Sequence, residues 1–104
     1  MIFNHKNITN TDITILSLAV PGSKRIYIVE RLLICNIDTE DITVDLWLDD
    51  GSDQYYLLRT TTVPQKMTLD FLNGTPFKYE ASYGLKIRLA ASGTPTADII
   101  FNQL

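Results

Sequence analysis

The chain has 104 residues, nine of them Lys or Arg and twelve Asp or Glu, for a net charge of -3. That length supports one core and not two, and the acidic balance argues against sequence-independent binding of duplex nucleic acid, which calls for a basic face. Hydrophobic residues make up 45%, the usual globular share, and no apolar run is long enough to span a bilayer.

The chain opens on "MIFNHKNITNTD", which lacks the basic-then-apolar pattern of a secretion signal, so synthesis in the cytoplasm is the expectation. Residues 1–11 read as an N-terminal arm, with an extra strand over 2–8 as the other reading. Beyond the arm, Gly, Pro and Asn-Gly recur roughly every ten residues between segments rich in Ile, Val, Leu, Thr and Tyr, the pattern of consecutive short strands. Strands are predicted over 12–20, 24–37, 42–49, 54–63, 67–72, 76–80, 84–91 and 96–102, and no stretch carries a helical period. About eight strands with turn signals between them predict a single all-β domain over 1–104, a two-sheet antiparallel sandwich. Its topology is jelly-roll-like or immunoglobulin-like, with the jelly-roll-like form taken as the working expectation.

Neighbouring side chains in a strand point to opposite sides of a sheet, so alternation assigns the faces. In "ITVDLWLDD", Ile42, Val44, Leu46 and Leu48 face the core, while Thr43, Asp45, Trp47 and Asp49 face away. Leu85, Ile87 and Leu89 point inward, with Lys86 and Arg88 outward; Ala97, Ile99 and Phe101 point inward, with Asp98 outward. The stretch "RIYIVERLLICNI" breaks the rule: Ile26, Ile28, Leu32 and Ile34 line one side, and Tyr27, Val29, Leu33 and Cys35 the other. One of its faces should pack on something beyond the domain's own core, unless the strand pairing is bulged. Trp47, beside Asp45, is the second apolar feature that a monomer has no evident use for, unless its ring folds over its own sheet edge. Tryptophan dominates many protein interfaces, so Trp47, Asp45, Tyr27, Val29 and Leu33 are the candidate interface residues. Ile2 and Phe3 join them, because an arm carrying two apolar residues can add a strand to a neighbour's sheet edge.

The densest group of functional side chains is Asp49-Asp50-Gly51-Ser52-Asp53. A calcium loop needs oxygen ligands at alternating positions, a sixth-position glycine and a twelfth-position glutamate, and that pattern does not close here. Asp-Gly between two alternating strands instead supplies the positive dihedrals of a tight connection. A hairpin tip is therefore expected, with an adventitious cation site as the alternative. Residues 38–53 contain seven acids and no Lys or Arg, which makes either an acidic rim that orients a basic partner or a solvated face.

Chemistry finds little purchase. Cys35 is the only cysteine and His5 the only histidine. Neither a disulfide within the chain nor a metal site of several histidines can form, and a Ser-His-Asp triad would have to recruit His5 from the arm. Carboxylate pairs drawn from Asp45, Asp49 or Asp70 carry no specific signal. No enzyme activity, cofactor or metal is expected. Tyr55, Tyr56, Trp47, Tyr79 and Tyr83 could form an aromatic platform for a sugar ring, though Tyr and Trp are also ordinary strand residues.

The run "VPGSKRIYIVERLLICNIDTEDITVDLWL" resembles a pattern found in small structural proteins of tailed bacteriophages, and the similarity continues through "YYLLRTTTVPQKMTLDFL" and "YGLKIRLAASGTPTADIIF". It covers residues 19–101 and rests on Pro21, Gly22, Asn36, Tyr56, Val63, Pro64, Gly84 and Leu85. The chain departs from the pattern at Gln65-Lys66 and at Ser82-Tyr83-Gly84. The resemblance implies a virion component, in first place a capsid cement or decoration protein, often trimeric, that reinforces contacts between major capsid proteins. Neck, tail or fibre-attachment roles would use the same domain, and a carbohydrate-binding module is the further alternative. The implied partners are the major capsid protein or other virion proteins and further copies of the chain, with no direct contact to nucleic acid or membrane.

Overall fold

The computed structural model describes residues 2–8, 14–17 and 24–103, with side chains described over 24–102. The Pro21-Gly22 turn, most of the strand expected over 12–20 and the side chains of Ile2 and Phe3 lie outside those residues. Among the described residues there are nine strands and no helix: β1 (Ile2–Ile8), β2 (Thr14–Ser17), β3 (Ile26–Asn36), β4 (Ile42–Asp49), β5 (Gln54–Val63), β6 (Thr68–Asp70), β7 (Phe77–Glu80), β8 (Gly84–Ala90) and β9 (Ala97–Gln103).

They form two antiparallel sheets. In the first, β1, β9 and β3 lie side by side, and β6 and β7 share the far side of β3, where β6 pairs with Leu33–Cys35 and β7 with Ile26–Val29. The second runs β2, β8, β4, β5. The inward side chains of both sheets meet in one buried cluster. Leu32, Ile34, Ala97, Ile99 and Phe101 come from the first sheet; Ile42, Val44, Leu46, Leu85, Ile87 and Leu89 come from the second. Burying a side chain of this size contributes about 1.5–3 kcal/mol, so strict alternation along β4, β8 and β9 fixes which face of each sheet turns inward. The arrangement is sandwich-like, and the segment 2–8 is a strand of the chain's own first sheet, paired with β9 over seven consecutive positions.

β3 corrects the face assignment made from alternation. Its register against β9 shifts between Val29 and Arg31, because two steps along β3 match one step from Gln103 to Asn102. The extra residue, Glu30, is a β-bulge, and a bulge reverses which residues point inward. Val29 is therefore buried with Leu32 and Ile34, and Tyr27 packs against the same cluster. Ile26 and Ile28, placed with Leu32 and Ile34 by simple alternation, fall on the outer side, and Ile26 is 48% exposed. Tyr27 and Val29 thus serve the core, and of the two-sided strand only Ile28, Leu33 and Cys35 remain as a half-buried outer stripe.

β5 carries a second irregular pairing. Val44 pairs with Thr61 but Leu46 with Leu58, leaving Arg59 and Thr60 opposite Asp45. Thr60 takes a φ of 49°, a left-handed conformation that costs an ordinary residue free energy, and its N–H donates to Asp45 Oδ1 at 2.6 Å. Asp45 thus holds the bulge of the neighbouring strand in place.

Candidate functional site

The loop Asp49–Asp53 is the tip of the β4–β5 hairpin. Gly51 has a φ of 99°, which glycine adopts without steric cost. The Gly51 N–H donates to Asp49 Oδ1 at 2.7 Å, and the Ser52 and Asp53 N–H groups donate to Asp50 Oδ1 at 2.9 and 2.8 Å. Tyr55 Oη donates to Asp50 Oδ2 at 3.1 Å, and Lys86 Nζ forms an ion pair with Asp49 Oδ2 at 2.9 Å. These contacts hold Asp49 below the usual carboxylate range, chiefly through Lys86 and then Gly51, and Asp50 through the Asp53 and Ser52 amides. The hydrogen bond to Asp50 raises the Tyr55 phenol. The carboxylates close the turn, and among the described residues no group of three or more His, Cys, Asp or Glu is placed to hold a metal ion.

Asp38, Glu40 and Asp41 behave alike. Asp38 accepts the Thr39 N–H, Asp41 the Gln65 N–H and Glu40 the Gly93 N–H, with Ser92 Oγ also donating to Glu40. Six of the seven acids in this stretch therefore accept a backbone N–H. Asn36, 1% exposed, anchors the same end of the molecule: its Nδ2 donates to the carbonyls of Glu40 and Val63, each at 2.9 Å, and its Oδ1 accepts the Asp38 N–H. The acidic composition is thus in large part a set of loop acceptors, and Glu40 and Asp41 tie the turn at 37–41 to those at 91–96 and 64–67.

On the outer side of the second sheet lies Trp47, 1% exposed and outside the main core cluster. Its ring lies 5.7 Å from that of Tyr56, the Arg88 guanidinium lies 5.6 Å from the Trp47 ring centre, and Arg59 stands 4.6 Å over Tyr56. This stack of two cations on two rings is closed, and Trp47 Nε1 is buried without a hydrogen-bond partner. Trp47 presents no surface to a partner, and Asp45 is engaged with Thr60. The five aromatics proposed as a sugar platform also separate: Tyr79 is buried in the core, Trp47 lies beneath the stack, and Tyr55 meets Tyr83 edge-on at the hairpin tip.

The outer side of the first sheet is different. Leu33 and Ile100 are Cα partners on β3 and β9, and both are half-buried while standing outside the core cluster. Cys35 follows Leu33 on that side, and Ile37, 47% exposed, extends the row. His5 of β1 occupies the same lateral row as Ile100 and Leu33. Of the candidate interface residues, Leu33 alone among those with described side chains lies in this apolar row. Ile2 and Phe3 fall on β1, opposite Gln103 and Asn102. Sequence reasoning passed over Ile100 and Ile37; the signal for Ile100 was the adjacent pair Ile99-Ile100, which breaks the alternation of its strand. No protein-family model matches this sequence, and neither does any curated protein.

Proposed function

We propose that the chain is a non-enzymatic virion structural protein of the kind made by tailed bacteriophages, in first place a capsid cement or decoration protein, with a neck, tail or fibre-attachment role as the second reading. The observation that carries it is the apolar row Leu33, Cys35, Ile37 and Ile100 on the outer side of the first sheet, half-buried apart from the exposed Ile37 and suited to lying on another protein. The strand orders support a jelly-roll sandwich, an architecture found in viral capsid and lectin domains: β1-β9-β3 with β6 and β7 filling one position, facing β2-β8-β4-β5. In this reading the first sheet lies on the major capsid protein or another virion protein. Many copies, each held weakly, then reinforce the shell by avidity, in closed homo-oligomers.

Co-sedimentation with shells assembled from the major capsid protein tests it. A Leu33→Thr/Ile100→Thr variant should lose at least ~10-fold in affinity for the shell, the equivalent of about 1.4 kcal/mol, with only a small fall in melting temperature, because both side chains are half-buried outside the core cluster and threonine suits a strand. Unchanged affinity would remove this face from the interface.

A further inference from the structure

A sheet edge offers unpaired N–H and C=O groups to any passing strand, and natural proteins blunt such edges with short strands, bulges or interruptions. Two sheets have four edges, and three of those here are blunted. β2, over its described residues Thr14–Ser17, carries a register shift between Ile15 and Ser17. β5 carries two register shifts and the left-handed Thr60. The edge beyond β3 is split into β6 and β7, of three and four residues, by a turn in which Asn73 and Gly74 take φ values of 48° and 89°.

β1 is the exception. It runs seven residues in unbroken register with β9, contains no proline, and among the described residues pairs with no other strand. We infer that the β1 edge is an interface between copies of this chain, which pair antiparallel across a two-fold axis through His5. The inference rests on the assembly reading and names its self-contact. A two-fold axis at the centre of Ile2–Ile8 gives full overlap: Ile2 opposite Ile8, Phe3 opposite Asn7, Asn4 opposite Lys6, and His5 opposite itself. No two lysines meet, since Lys6 of one copy stands opposite Asn4 of the other. The same residue row is used on both sides, as an isologous contact requires, and every outward backbone group of the strand gains a partner. The joined first sheets become one continuous sheet. Its outer side carries the Leu33–Ile100 row twice, once on each side of the axis, so one dimer would lay two copies of the aliphatic row on a shell.

The test uses the full chain, mixed half 13C-labelled and half unlabelled, with mass measured by light scattering across a dilution series and inter-copy NOEs recorded by isotope filtering. An even-numbered oligomer with inter-copy NOEs between Asn4 and Lys6 and between Phe3 and Asn7 is expected. A trimer, or any oligomer without β1-to-β1 NOEs, overturns the inference while leaving the assembly reading standing. A monomer at every concentration overturns the inference also, and shell co-sedimentation then decides the assembly reading by itself. Two variants add an independent arm. N–H groups alternate in direction along a strand, so of His5→Pro and Lys6→Pro one removes only an outward donor and the other breaks the pairing with β9. The variant that keeps the wild-type melting temperature should associate at least ~10-fold more weakly, and unaltered association in it overturns the inference.

Discussion

The outer sides of the two sheets show opposite treatments of the same problem. Each carries large apolar side chains that the main core does not absorb. On the second sheet the problem is solved internally: Arg88 lies on Trp47, Tyr56 lies beside it and Arg59 covers Tyr56, so the ring ends at 1% exposure. On the first sheet, Leu33, Cys35 and Ile100 have one another and stay half-buried. Both outer sides look alike in the alternation pattern, and tryptophan looks the stronger anchor. What separates them is whether long cationic side chains on neighbouring strands can fold over the apolar group. Register decides that, since Lys86 is the cross-strand partner of Trp47 and Arg88 that of Asp45, whereas Leu33 stands between Ile100 and Asp70.

The largest test of this contrast is Trp47→Ala. Removing a fully buried indole should destabilise the fold by about 3–5 kcal/mol, measured as a lower denaturant midpoint, while occupancy on shells changes only as far as folded protein is lost. Trp47→Phe sharpens the point. It keeps part of the ring and deletes the unpartnered Nε1–H, so its cost should be well below that of Trp47→Ala. If Trp47→Ala leaves stability intact and abolishes occupancy, the two outer sides have been assigned the wrong way round.

A smaller effect is expected at Arg88. Its guanidinium stands over Trp47 and is solvent-exposed, the setting in which a cation over a ring is worth about 0.5–1 kcal/mol. Arg88→Gln should lower stability by about that amount and raise the quenching of Trp47 fluorescence by acrylamide, because the lid over the ring is thinned. Unchanged quenching would mean that the ring is covered without Arg88.

Much of this fold could be read from the residues, and the exceptions share a cause. β4 and β5 begin and end where Gly, Asp and Pro punctuate the sequence, and the inward rows of β4, β8 and β9 follow strict alternation. The face of β3 did not, because one inserted residue, Glu30, reverses every side chain on one side of it, and nothing local distinguishes that glutamate from an ordinary outward strand residue. The burial of Trp47 could be read only as an alternative to interface anchoring, for a similar reason. It depends on Arg88 of β8, which lies over the ring from the position paired with Asp45, and on Tyr56 and Arg59 of β5, whose placement follows the irregular β4–β5 register. The acids of 38–53 announced a charged rim by composition, yet their role as acceptors for Thr39, Gln65, Gly93, Thr60 and the hairpin amides follows from loop contacts up to 53 residues apart in the chain. Turn chemistry is local and can be read; the partner of a carboxylate is not.

The smallest effect concerns those carboxylates, and it carries the contrast from apolar groups to charges. If the second sheet satisfies its own side chains, its hairpin tip should behave as a closed electrostatic unit. Asp49 and Asp50 are held below the usual carboxylate range by Lys86, Gly51 and the Asp53 and Ser52 amides. A depressed folded-state pKa means that the unfolded chain binds the proton more readily. Stability from these groups is therefore present above the ordinary carboxylate pKa and is lost as pH falls through the folded values. Tyr55 works in the opposite sense: its pKa is raised by Asp50, so its contribution is complete below the usual phenol pKa and is lost as pH rises through the folded value. Both contributions are small because the tip is solvent-exposed and screened. Acid unfolding monitored with Asp49→Asn/Asp50→Asn should show a flatter dependence on pH below the ordinary carboxylate pKa than the wild type, and added salt should narrow the gap. An identical slope in the two proteins would show that the tip carboxylates do not distinguish folded from unfolded chain. Their hydrogen bonds to Gly51, Ser52, Asp53 and Tyr55 would then shape the turn without stabilising it.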